Sequence, residues 1–306
     1  MATIESDSGL SRQNPWTAYA YLVNQAWLRH AAKAILAFLH ILIPAQAMIL
    51  GGELFMTVVS KLALTQMNAQ SLGFSNLILA GVYLLTGLVV GAPLLLYGFA
   101  KIIFRLTAFC RFWLMTDPLK ADETENMKST SADALQQLSA RTKFLGLYWS
   151  FCSLWLILPI LLLLVLVFIR ISINPDLVGF RSPSELIVDG LLLLIVAFII
   201  TVSAFMFPIG AIQEGTPGRT ALSTFAMSFR LFLPSIPFCI LVVLLNVVSS
   251  SPEYLLKQVV GSAAVNDNLP ISLILLVWQA AIGLLLMPAS MLPFCELWKT
   301  TQHESK

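Results

Sequence analysis

Charge is what this sequence has least of. Only 11% of its 306 residues are charged, while 58% are hydrophobic; an ordinary soluble domain carries about 25% charged residues. A water-soluble fold of this length needs polar side chains over its exterior, and too few are present to supply them. A chain solvated by lipid has no such need. The net charge of +2 is small and the basic residues form no cluster, so nucleic acid is not an expected partner.

Histidine and cysteine are also scarce. Of His30, His40 and His303, only His40 lies in a long apolar run, which excludes bis-histidine haem and three-histidine metal sites. No metal or cofactor is expected. Cys110, Cys152, Cys239 and Cys295 sit in or beside apolar segments without CxxC spacing. They read as small hydrophobes, not as a disulfide framework. Phosphate-loop, HExxH, GxSxG and aspartate-rich transfer motifs are missing, so no catalytic residue is assigned. The first 30 residues hold no continuous apolar core, and no cleavable signal peptide is expected.

What the chain has in abundance is long apolar runs. About 20 such residues cross a hydrocarbon core, and six stretches qualify: 34–58, 73–100, 145–169, 187–211, 231–249 and 271–296. The predicted fold is an all-α integral membrane protein of six transmembrane helices, forming one polytopic domain over residues 1–306. Of the 18 lysines and arginines, only Lys61, Arg170, Arg181 and Lys257 fall on one side of this topology. The positive-inside rule then makes the other side, with both termini, cytoplasmic.

Outside the spans, Asn14–His30 opens with a cap-like Asn14 and Pro15. Trp16, Tyr19, Val23 and Trp27 share one helical face, which predicts an N-terminal interfacial helix. Residues 101–143 form a cytoplasmic excursion, whose first part suits a helix emerging from the membrane with Lys101, Arg105 and Arg111 at phosphate level. Partner docking and a solvated connector are both open for its polar second half. The loop after the fifth span, with SPEYLLKQVVGSAAV, is expected to form a short amphipathic turn-and-a-half.

Ionisable groups within spans are costly and point to function by default. Glu53, beside Gly51 and Gly52, is a candidate for proton or substrate handling, or a group that reaches water at the outer interface. His40 and Gln46 flank Pro44 in the same helix, and His40 is expected to make an interhelical hydrogen bond. Asp189 and Glu296 lie near interfaces and read as solvated, whereas Asn246 and Gln279 read as helix–helix contacts. Every span contains proline, which removes a backbone donor and bends a helix. Pro44, Pro93, Pro208 and Pro288 are candidate hinges. The last three lie towards the cytoplasmic ends of the returning spans, where they could shape a cavity.

From Phe205 the chain reads FMFPIGAIQEGTPGRTALSTFAMSFRLFLPSIPFCILVVLL. A proline-bearing helix end, a polar loop, an amphipathic segment and a further span follow one another. With Pro208, Ala221, Leu222 and Ser228 at the matching positions, this stretch resembles the membrane domain attached to some bacterial glycerophosphodiester phosphodiesterases and related six-helix inner-membrane proteins. The resemblance covers residues 204–248. It implies a six-helix bundle of the bacterial inner membrane with a re-entrant or interfacial helix at 217–230. Glu214 and Arg219 would there pair with each other or bind lipid headgroups. No phosphodiesterase domain accompanies it, so that activity does not carry over. Two functions fit: a non-catalytic subunit or scaffold of a membrane complex, and a transporter or lipid-handling permease. The partners expected are the lipid bilayer and, for the first, other membrane subunits.

Overall fold

The structure is a computed structural model that describes residues 25–67, 74–115, 124–173, 183–261 and 268–304. Among these the chain is helical and contains no strand. The helices are α1 (Gln25–Met67), α2 (Phe74–Thr86), α3 (Ala92–Met115), α4 (Thr124–Ser139), α5 (Thr142–Ile173), α6 (Pro183–Ile212), α7 (Pro217–Arg230), α8 (Phe232–Val260) and α9 (Leu269–Glu304). A π-helical turn, Gly87–Gly91, joins α2 to α3.

Six helical stretches are long and apolar enough to cross a bilayer: Leu28–Met67, Phe74–Met115, Thr142–Ile173, Glu185–Ile212, Phe232–Val260 and Leu269–Lys299. The protein is an all-α polytopic membrane protein. Hydrocarbon offers no partner to backbone N–H and C=O groups, and a helix satisfies them internally. Its surface is apolar to match: Leu158 is 72% exposed, Phe168 73% and Leu193 71%.

Several helices outrun the expected spans. At 43 residues, α1 is about 65 Å long at 1.5 Å per residue, roughly twice the hydrocarbon thickness. Residues 101–115, expected to be helical, continue the helix of the second span without a break. The expected turn-and-a-half near 251 is likewise part of α8, which runs on to Val260. Pro252 cannot donate to the carbonyl of Val248, four residues back, but the Ser251 hydroxyl donates to that carbonyl at 2.8 Å. Most of the predicted N-terminal interfacial helix lies outside the described residues; from Gln25 the chain is already α1.

The chain divides into two compact units. The first comprises Met1–Ala34, Thr107–Val242 and Ser290–Lys306; the second comprises Ile35–Leu106 and Val243–Ala289. In the first unit α5, α6 and α7 pack pairwise. A core of Phe205, Ile209, Leu231, Phe238, Phe294 and Trp298 lies beside them, with the Phe205 and Phe294 rings perpendicular at 5.5 Å.

In the second unit α1 meets α3 closely. A Cβ on Gly98 would fall 2.9 Å from the backbone nitrogen of Ile49, so only glycine permits this approach. Gly98→Ala is expected to destabilise the protein by about 1–3 kcal/mol through overpacking. Gly146→Ala, where nothing lies within 4 Å, is expected to be neutral or stabilising by up to about 1 kcal/mol. Unfolding in mixed micelles by titration with a denaturing detergent measures both.

Candidate functional site

The C-terminus of α6 leaves its last carbonyls without helical donors. Two guanidinium groups supply them. Arg111 Nη1, from α3, donates to the Ala211 carbonyl at 2.6 Å. Arg141, between α4 and α5, donates to Ala211 O at 3.3 Å and to Gln213 O at 2.6 Å. Both cations thus sit where the helix carries its partial negative charge. Arg111 also reaches Gln137 Oε1 on α4 at 3.0 Å, and Arg141 lies over the Phe144 ring at 4.7 Å. Arg111, expected at phosphate level, thus also caps a helix end.

The same helix end organises α7. Ser223 donates to Gln213 Oε1 at 2.9 Å. Thr216 and Pro217 start the helix, with proline in the first turn where its missing N–H costs nothing. Thr220, Ala221, Thr224, Phe225 and Ser228 form its buried face. Against that face stands Tyr148 of α5, fully buried. Its hydroxyl lies 2.9 Å from Thr224 Oγ1 and 3.1 Å from the Met206 carbonyl. A Cβ on Gly210 would lie 2.7 Å from the Tyr148 ring, so glycine there lets the ring pass α6.

Glu214 and Arg219 are both exposed, and no ion pair joins them among the described residues. Glu214 instead acts electrostatically on Arg111. His40, Gln46 and Glu53 belong to the second unit. His40 is exposed and makes no hydrogen bond among the described residues, in contrast to the expectation. Gln46 Oε1 is buried without a hydrogen-bond partner among them. Glu53 is half-buried, with no hydrogen bond or ion pair among the described residues. Seven residues separate Gln46 from Glu53, which puts them on one helical face.

The helices run unbroken through Pro44, Pro208 and Pro288. Pro93 is the second residue of α3 and follows the π turn, where the Ala92 N–H bonds to Gly87 O. That wider register relieves the crowding a proline ring imposes on the preceding turn.

Other polar groups pair across helices. Arg170, buried on α5, contacts Asp189 at 2.9 Å and Glu185 at 3.4 Å on α6. Trp113 Nε1 donates to Glu296 Oε1 at 2.6 Å, and Lys299 lies 3.1 Å from the same oxygen. Asp189 and Glu296 are therefore paired instead of merely solvated. Gln279 donates to Glu253 at 2.9 Å, in keeping with its expected helix–helix contact. Lys61 donates to Ser272 at 3.1 Å, and Arg105 donates to the Ile41 carbonyl.

No local pattern in the sequence marks Arg111 and Arg141 as helix caps, because interfacial cations look the same. Tyr148 is equally silent there, as one aromatic among many in a membrane span. Tyr148→Phe is expected to cost about 1–2 kcal/mol of stability. Amide exchange over residues 217–230, read by mass spectrometry, should rise while that of 145–160 stays slow. Comparison with protein-family models, curated proteins and solved structures finds no match for this chain.

Proposed function

We propose that the chain is a non-catalytic subunit or scaffold of a membrane complex, set in a bacterial inner membrane with both termini in the cytoplasm. The observation that carries this reading is how the membrane-helix ions are used. Arg111 and Arg141 cap a helix end, Arg170 is held by two carboxylates, and Glu296 joins Trp113 to Lys299. Groups committed to helix packing are not available to line a path for a hydrophilic solute. On α4, Ala134 and Leu138 are buried while Asp133 and Gln136 stay exposed, which offers a polar face for a partner.

A second reading, a lipid-handling permease, is favoured by Glu53, the half-buried acid without a partner among the described residues. Mass spectrometry of the protein released from native membrane in nanodiscs tests the first reading. A stoichiometric protein partner is expected, and a lone protein carrying a defined lipid would overturn it. Under the second reading Glu53→Gln changes lipid or substrate dependence; unchanged behaviour removes that reading.

A further inference from the structure

Two contacts in the second unit frame the depth of α1. Arg105 of α3 donates to the Ile41 carbonyl, and Lys61 donates to Ser272 of α9 at 3.1 Å. Lysine and arginine heads settle at the faces of a bilayer. Lys61 follows Ile41 by twenty residues of unbroken helix, about 30 Å at 1.5 Å per residue and the thickness of a hydrocarbon core. Glu53 then lies about 18 Å from the Ile41 level and about 12 Å from the Lys61 level, inside the hydrocarbon instead of at its edge.

Glu53 belongs to a polar row. Gln46, Glu53, Thr57 and Ser60 fall within about 60° of one another around α1. All four are half-buried, and none makes a hydrogen bond among the described residues. The other polar groups of this unit are committed elsewhere. Glu253 of α8 pairs with Lys257 at 2.6 Å and accepts from Gln279 of α9 at 2.9 Å, and Lys101 of α3 lies over the Tyr97 ring. The α3 residues packed on this part of α1, Gly91, Leu94, Leu95 and Gly98, carry no charge. His40 is about 20 Å away along the same helix. No charged side chain among the described residues acts on Glu53.

An unpaired carboxylate in hydrocarbon is costly, whereas a carboxyl group that holds its proton carries no charge. From Glu53 the row climbs through Thr57 to Ser60, about 10 Å along the axis, and ends beside Lys61. In the other direction it stops at Gln46, whose Oε1 is buried. We propose that Glu53 is a proton-binding site within the membrane, exchanging with water on the Lys61 side along Thr57 and Ser60. In each uptake step hydronium gives its proton to the carboxylate and leaves as water. The use of the site, though not its chemistry, rests on the second reading above, to which it adds the proton as the coupled solute.

The test uses the full chain in sealed phosphatidylcholine vesicles of known orientation and the hydrophobic reagent dicyclohexylcarbodiimide. A protonated carboxyl adds its O–H across one C=N bond of the reagent, and the acyl group then moves to nitrogen. The whole reagent is retained and is read by peptide mass spectrometry. Labelling of Glu53 is expected at neutral pH. It should fall roughly tenfold per pH unit once alkaline conditions remove the proton, following the pH on the Lys61 side alone. Glu53→Gln should abolish the label and Glu53→Asp should retain it. Because the four native cysteines are buried, Thr57→Cys should react with an impermeant thiol reagent from the Lys61 side, and Val58→Cys, off the row, should not. No label on Glu53 at any pH, equal labelling by a water-soluble carbodiimide, a response to pH on the opposite side, or an unreactive Thr57→Cys would each overturn the proposal. The expected labelling combined with unchanged lipid dependence in Glu53→Gln would keep the proton site and remove the second reading alone.

Discussion

In hydrocarbon a backbone N–H or C=O finds no water, and this constraint reaches every part of the molecule. It makes each crossing segment helical, and it moves the remaining difficulty to helix ends and prolines, where carbonyls lose their donors. The protein meets those sites with side chains. Arg111 and Arg141 serve the end of α6, and Ser251 serves the carbonyl that Pro252 leaves without a donor. The arginines among these groups also hold helices together.

Polar contacts of this kind are few and individually modest. Interhelical hydrogen bonds in membranes contribute on the order of 1 kcal/mol each, so close packing must supplement them. The two act together at Tyr148. Its ring crosses α6 over Gly210, and its hydroxyl reaches Thr224 and Met206. With the Ser223–Gln213 hydrogen bond and the packing of Phe225 on Trp155, these contacts set which side of α7 faces inward.

The architecture was legible in the sequence because apolar length is a local property. All six expected spans overlap the observed helices, and the amphipathic segment at 217–230 is a helix. Helix ends were less legible. Pro252 reads as a stop until Ser251 is seen to satisfy the carbonyl it strands. The helix expected to emerge after the second span is continuous with it as far as Met115.

Composition by itself determined the membrane class, since the scarcity of charge leaves a water-facing exterior unclad. Tertiary structure alone decided what the polar residues do. Glu296 and Asp189 resemble solvated acids in sequence, yet one meets Trp113 and Lys299 and the other meets Arg170. Gln46 and Glu53 share a face by spacing, but only packing decides that neither acquires a partner among the described residues. The reason is that hydropathy is summed along the chain, whereas a hydrogen bond depends on which atoms separate helices bring within about 3 Å of each other.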